Sequence, residues 1–307
     1  MTEAKTLLRM AALAVMWGSS FFWIKLGLHA FSPVQLVLAR VVLGAVVLTI
    51  ICYAQRDSLP AKRSLWGLIA IAAFFHNALP FLLFAIGEQT VDSGITGVLN
   101  ATTPLWALLA AVLFRQDRRV TGIRLAGLVL GLGGIVLIFA PWHASGLLSW
   151  GALACLVASA SYGFVFVYEG RYLAGTGTSP MGLAGAQMIL ASGFTLLALP
   201  VGGLTPITLD PGALIAVVIL GVFGTGIAFA MNYRLLETEG AVATSTVGYL
   251  LPIVSVLLGT VFLDEELNLR VIAGMLVVLG GVALTRVRRR TPEPRPEPAA
   301  AEARLAR

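Results

Sequence analysis

Apolar residues in this chain come in long unbroken runs separated by short polar connections, with no two-residue alternation. Ten runs can be marked, at roughly 7–28, 33–54, 64–86, 92–114, 120–140, 148–168, 179–201, 211–233, 240–262 and 267–285. Each reaches the length of about 20 residues that a bilayer-crossing helix needs. A transmembrane barrel would instead show strands of about ten residues with alternating polarity, and the Gly and Pro interruptions seen here are those of membrane helices. The first run carries Lys25 near its end, with no small-x-small cleavage site before the second run, so it reads as a retained helix and not as a signal peptide. The pattern predicts an all-α membrane protein of ten transmembrane helices.

Composition narrows the function. The 307 residues are 58% hydrophobic and 12% charged, against about a quarter charged in soluble domains. Ten spans leave connections too short for a soluble catalytic or nucleic-acid-binding domain. The net charge of +6 answers to topology instead. With the N-terminus in the cytoplasm, Lys5, Arg9, Arg56, Lys62, Arg63, Arg115, Arg118, Arg119, Arg124, Arg171, Arg234 and the seven arginines from Arg286 onward share one side, 18 of the 21 Lys and Arg. Of the others, Lys25 and Arg40 lie within spans, and only Arg270 falls on an outer connection. That is the positive-inside asymmetry, and it places both termini in the cytoplasm of a multi-pass plasma (inner) membrane protein. The outer connections hold Glu88, Asp92, Asp210, Asp264, Glu265 and Glu266, with Pro141-Trp142-His143 after the fifth span.

Cys52 and Cys155 lie inside apolar spans, where they read as small hydrophobes and not as a disulfide or metal pair. The tail, 287–307, is dominated by Pro, Glu, Ala and Arg and reads as disordered. Arg286, Arg288, Arg289 and Arg290, directly after the last span, serve as a topology anchor or as a contact for anionic lipid head groups.

Sliding the chain along itself by about 147 residues brings features into register. Trp17-Gly18 falls opposite Tyr162-Gly163, Ser32-Pro33 opposite Ser179-Pro180, and Arg40 opposite Gln187. Further along, Pro104 meets Pro252, Asp117 meets Glu265, and Gly133-Gly134 meets Gly280-Gly281. The chain therefore divides into two five-helix repeats, 1–143 and 144–286. An odd number of crossings makes the second repeat inverted relative to the first. Two such bundles can open a shared central site to one side and then to the other.

These residues resemble the EamA type of the drug/metabolite transporter superfamily. The resemblance is carried by Trp17-Gly18, by Pro33 followed by Arg40, by Pro104 and Pro252, and by the acid-then-Gly-Gly pattern around the fifth and tenth spans. It covers residues 1 to about 286 and implies a transporter that exports small metabolites, most of all amino acids, aromatic or broad-range. One position departs from the pattern: Asp117 is preceded by Gln116, against Asp264-Glu265 in the second half, so the motif is degenerate in the first.

An ionisable group inside a span is costly unless paired or wet, so each is a candidate. Arg40 lies about seven residues into the second helix, roughly 10 Å from its outer end at about 1.5 Å per residue. Its guanidinium either forks a substrate carboxylate or braces the two halves; Gln187 is its counterpart. Lys25 reads as snorkelling to the interface. His76 and Asn77 precede Pro80, which frees a backbone carbonyl one turn earlier, and such kinks line cavities or bridge helices. Asn100 and Thr103 ahead of Pro104, and Ser245, Thr246 and Tyr249 ahead of Pro252, form a related pair of kinks. Trp17 and Tyr162, matched across the repeat, read as aromatic walls of one cavity. Asn232 and Tyr233 close the eighth helix. Gly127 and Gly131 offer a small-residue face for a neighbouring helix or a second copy.

Other functions fit less well. A membrane enzyme would need a convergent acid, base or metal site, but the chain has no His-Glu-x-x-His or Gly-x-Ser-x-Gly, and no cofactor is implied. A nucleotide-sugar or organic-phosphate antiporter would want several deep cations, and only Arg40 is deep. All fifteen acids fall in tails, loops or span ends, with Glu169 closing the sixth helix. His76 then stands as the one internal titrating group. The expectation is facilitated movement down the solute's own gradient, with His76 a hydrogen-bonding wall and not a proton carrier.

Overall fold

The computed structural model describes residues 3–114, 122–139, 149–266 and 268–286. Ten helical rods result. α1 comprises Glu3–Gly18 and, after a turn at Ser19, Ser20–Gly27; α2 is Pro33–Ala54. α3 joins Arg63–Ala73, a π-helical stretch Phe74–Ala78, and Leu79–Gly87; α4 joins Ser93–Asn100 and Thr103–Leu113. α5 is Gly122–Phe139, α6 is Trp150–Tyr172 and α7 is Pro180–Gly202. α8 starts at Pro211–Val218, passes a second π stretch, Ile219–Ile227, and continues to Gly240, whose φ of 80° turns the chain directly into α9, ending at Phe262. α10 is Leu269–Arg286. Asp117, Gln116, His143, Arg288, Arg289 and Arg290 lie outside the described residues, as do the side chains of Ser245, Thr246 and Arg286.

Local chemistry sets where several rods begin. Ser32 caps α2 in a capping box with Gln35, and Ser179 caps α7 by accepting from Gly182 N; Pro33 and Pro180 follow at the first helical position. Asp210, ahead of Pro211, caps α8 by accepting from Gly212 and Ala213. Gln35 reaches further, donating to the carbonyls of Gly203 and Thr205 and tying the start of α2 to the end of α7.

The repeat read from the sequence becomes a two-fold relation between contacts. α2 packs along α7, and α5 along α10, so each of these helices meets its own counterpart. A Cβ on Gly127 would stand 2.7 Å from the Gly281 carbonyl oxygen, and one on Gly134 would stand 2.9 Å from that of Gly274, which is the same contact with the halves exchanged. Gly127 and Gly131 thus serve packing within the bundle, since only hydrogen leaves room for backbones this close. Likewise Gly18 of α1 faces Val254 of α9, and Gly163 of α6 faces Trp106 of α4. Two inverted five-helix repeats, interlocked about a pseudo-two-fold axis, make the fold.

Irregular backbone is concentrated in α3, α4 and α8. In α3 the Pro80 ring removes a donor, the helix widens, and Leu79 N–H bonds to Phe74 five residues back; the Phe75 carbonyl takes the Ser161 hydroxyl at 2.6 Å. The π stretch of α8 has no proline. There Thr225 Oγ1 donates to the Leu220 carbonyl at 2.9 Å, and Gly221 lets α2 approach at Leu43. α4 breaks at Ala101 and Thr102, just before Pro104, whereas helical backbone continues through Pro252 in α9. The eighth helix also runs on past 233, so Asn232 and Tyr233 sit within α8 and not at its end: Arg234 to Glu239 stay helical although Arg234, Glu237, Thr238 and Glu239 are polar. Hydropathy marks where apolar surface stops, not where backbone hydrogen bonding stops.

Candidate functional site

α3 and α6 pack antiparallel, with Gly87 against Gly151 near one end and the rings of His76 and Tyr162 5.7 Å apart eleven residues further along each helix. Helical side chains lean toward their own N-terminus. His76 on α3 and Glu169 on α6 therefore lean toward each other, and His76 Nδ1 meets Glu169 Oε1 at 2.8 Å. The same oxygen accepts from Gln187 Nε2 of α7 at 3.0 Å, and Gln187 Oε1 accepts from Asn77 Nδ2 at 3.2 Å. Asn77 and Gln187 are buried, and Asn77 Oδ1 is left without a partner. This overturns the placing of Glu169 as a mere helix end and of His76 as an isolated internal group: a carboxylate and an imidazole are paired inside the bundle.

Rings surround the pair. His76 lies 5.4 Å from Phe166 and 5.8 Å from Phe229, Tyr162 stacks parallel to Phe166, and Phe229 of α8 meets Trp17 of α1 edge-on at 5.9 Å. Five of the residues singled out from the sequence, Trp17, His76, Asn77, Tyr162 and Gln187, thus belong to one cluster built from both halves. Glu169, Phe166 and Phe229 complete it. No local signal marked Glu169, which sits three residues from the end of its helix and enters the cluster only through the relative depth of α3 and α6. Asn100 and Tyr249 are placed elsewhere. Asn100 ends the first segment of α4 with its Oδ1 buried and unpartnered, and Tyr249 packs at the edge of the main core.

Arg40 is the counterpart of Gln187, and its bond is the counterpart of the Asn77–Gln187 bond. Arg40 Nε donates to Thr225 Oγ1 in the π stretch of α8 at 3.0 Å, and the guanidinium lies 3.8 Å over the Phe81 ring. Each π stretch is thus gripped by a polar side chain from the opposite half.

The face opposite the termini is closed by a second set of polar contacts. Glu265, in the α9–α10 connection, accepts from Ser93 N at 2.7 Å and Gly94 N at 2.9 Å, capping the N-terminus of α4. Ser255 of α9 donates to the Ser93 carbonyl at 2.7 Å. Lys25 does not snorkel freely: its ammonium donates to the carbonyls of Glu88 and Val91 at 2.8 and 2.9 Å. Glu88 is wholly buried with neither oxygen hydrogen-bonded, and burial pushes its carboxyl well above the usual range against the opposing pull of Lys25. Burial and the nearby Glu265 also raise Asp92. Among the described residues, no group of three His, Cys, Asp or Glu could hold a metal ion.

Comparison with known proteins adds a family. The model of the EamA-like transporter family matches the chain twice, over residues 4–140 and 149–287. The inner membrane transporter YedA of Escherichia coli (strain K12), itself described as uncharacterized, is 32% identical over 261 residues, covering 84% of this chain and 82% of that protein. The transporter YdfC of Bacillus subtilis (strain 168), described in the same way, is 26% identical over 273 residues, 88% of this chain and 87% of its own. A protein crystal structure 19% identical in sequence shares the fold with a TM-score of 0.63, over 93% of this chain and 97% of that one.

Proposed function

Since the chain belongs to the EamA-like transporter family and is a multi-pass membrane transporter, we propose that it exports small metabolites, foremost amino acids, with both termini in the cytoplasm. The observation that carries this reading is the cluster around Trp17, His76, Asn77 and Tyr162, assembled from both halves at a helix irregularity. A solute held there is held by the elements that must move apart in alternating access. Aromatic faces suit an amino-acid side chain. The unpartnered Oδ1 of Asn77 is an acceptor placed for a solute donor once the cluster opens. The relatives' printed names, one of them an inner membrane transporter, agree with an inner-membrane location.

A phosphate-bearing solute is disfavoured by the setting of Arg40, whose guanidinium is already engaged by Thr225 and Phe81. The test is efflux from proteoliposomes against a panel of amino acids and nucleotide sugars. Trp17→Ala and Asn77→Ala should each lower amino-acid efflux about tenfold, the equivalent of ~1.4 kcal/mol, at equal amounts of folded protein. Normal kinetics in both variants would remove these residues from the site, and efflux confined to nucleotide sugars would overturn the substrate class.

A further inference from the structure

We infer that His76 and Glu169 form a proton-binding site that couples solute export to the transmembrane proton gradient. The inference rests on the transport reading above and supplies its driving force.

The hydrogen-bond pattern offers a place for the proton. Glu169 Oε1 accepts from the Gln187 amide at 3.0 Å, and the Asn77 amide, donating to Gln187 Oε1, turns the Gln187 N–H groups toward Glu169. With Glu169 ionised, its oxygen can receive the amide donor and, at 2.8 Å, an imidazole donor as well. In that state Nδ1 carries hydrogen, and Nε2 is the open position. One proton from water on Nε2 converts neutral His76 beside ionised Glu169 into an imidazolium–carboxylate pair, and the pair changes from a net charge of −1 to 0. Release to water on the other face reverses the step, with no other bond made or broken.

The groups around this pair are aromatic rings and an amide. Phe166 and Tyr162 face it from α6, Gln187 from α7, and Phe229 and Tyr233 from α8. The two phenols are ordinarily protonated below about pH 10 and so do not compete in the histidine range. Arg171, two residues beyond Glu169, is turned onto the Tyr172 ring. The side chains of His76 and Glu169 keep 12% and 21% of their surface exposed, so the pair is not sealed.

Coupling follows from which half holds which partner. His76 belongs to the first repeat, and Glu169 and Gln187 to the second. A conformational exchange that separates α3 from α6 takes the carboxylate away from the imidazole. Losing a nearby opposite charge lowers an imidazole's proton affinity. A ligand drives a two-state exchange only through such a difference in affinity.

The test has two arms. Full-length protein labelled with ¹⁵N-histidine in nanodiscs carries three histidines, and His76 is assigned by the signal that His76→Gln removes. Glu169→Gln should move the His76 titration midpoint downward, since the imidazole loses its carboxylate partner. In proteoliposomes, an imposed proton gradient should drive uphill accumulation of a radiolabelled mixture of the standard amino acids. Glu169→Gln should bring that accumulation down to the equilibrium ratio, with the other two histidine signals unmoved as the check on folding. His76→Gln, which still donates to Glu169 but cannot take the proton, should lose accumulation in the same way. An unmoved midpoint, or undiminished accumulation in either variant, overturns the site. Wild-type protein that exchanges no amino acid refutes the substrate reading, and the His76 titration then decides the proton site by itself.

Discussion

Replacing Glu265 by Gln is expected to loosen the face of the bundle opposite the termini by about 1–2 kcal/mol. The magnitude comes from two bonds. The carboxylate accepts from Ser93 N and Gly94 N at 2.7 and 2.9 Å, and a charged acceptor makes each worth about 1.5–3 kcal/mol. The Glu265 side chain is only half-buried, and the Gln carbonyl retains one bond; these reduce the sum to the lower figure. The setting is built for a carboxylate. Asp264 takes a φ of 53°, returning Glu265 N to the Gly259 carbonyl, and a Cβ on Gly259 would collide with the carboxylate. A cost of 1–2 kcal/mol multiplies the open population by about 5 to 30. The assay is the labelling rate of Ser255→Cys by a membrane-impermeant maleimide, in a background with Cys52 and Cys155 replaced by Ala. Ser255 is fully buried against α4, so its labelling tracks opening, and comparison within one background cancels the reporter's own effect. A rate within about twofold of the parent would show that the carboxylate does not hold this face shut.

Two further outcomes follow from buried polar groups. Burial raises the Glu88 carboxyl, so the folded chain keeps a proton that the unfolded chain sheds above about pH 4.3, and stability falls as pH rises past that value. Glu88→Gln should therefore melt above the wild type at pH 7–8, with the gap closing toward pH 4; a gap independent of pH would contradict a neutral Glu88. Thr225→Val leaves the Arg40 Nε without its acceptor and should destabilise by about 1.5–3 kcal/mol, whereas Thr225→Ser, retaining the hydroxyl, should melt closer to wild type; a larger loss in Thr225→Ser than in Thr225→Val would assign the effect to the methyl packed on Gly44.

The ten spans, the doubled unit and the helix starts at Ser32-Pro33 and Ser179-Pro180 are legible in the sequence because each depends on neighbours along the chain. A bilayer demands about 20 apolar residues in a row, and a cap is set by the residues beside it. The repeat is legible because related halves keep equivalent glycines wherever backbones touch, as at Gly127 with Gly281 and Gly134 with Gly274. Trp17, His76, Asn77, Tyr162 and Gln187 stood out as polar or aromatic anomalies within spans, and the fold gathers them.

What only the tertiary structure decides is depth and partner. Glu169 looks like an ordinary helix end until α3 and α6 are set side by side, when two inward-leaning side chains from positions 93 apart meet at 2.8 Å. The same holds for Arg40 with Thr225 and for Glu265 with the start of α4. Hydropathy reports the cost of placing a residue in lipid. Whether a charge there is paired, capping or alone depends on the register between helices distant in sequence, which no single span encodes.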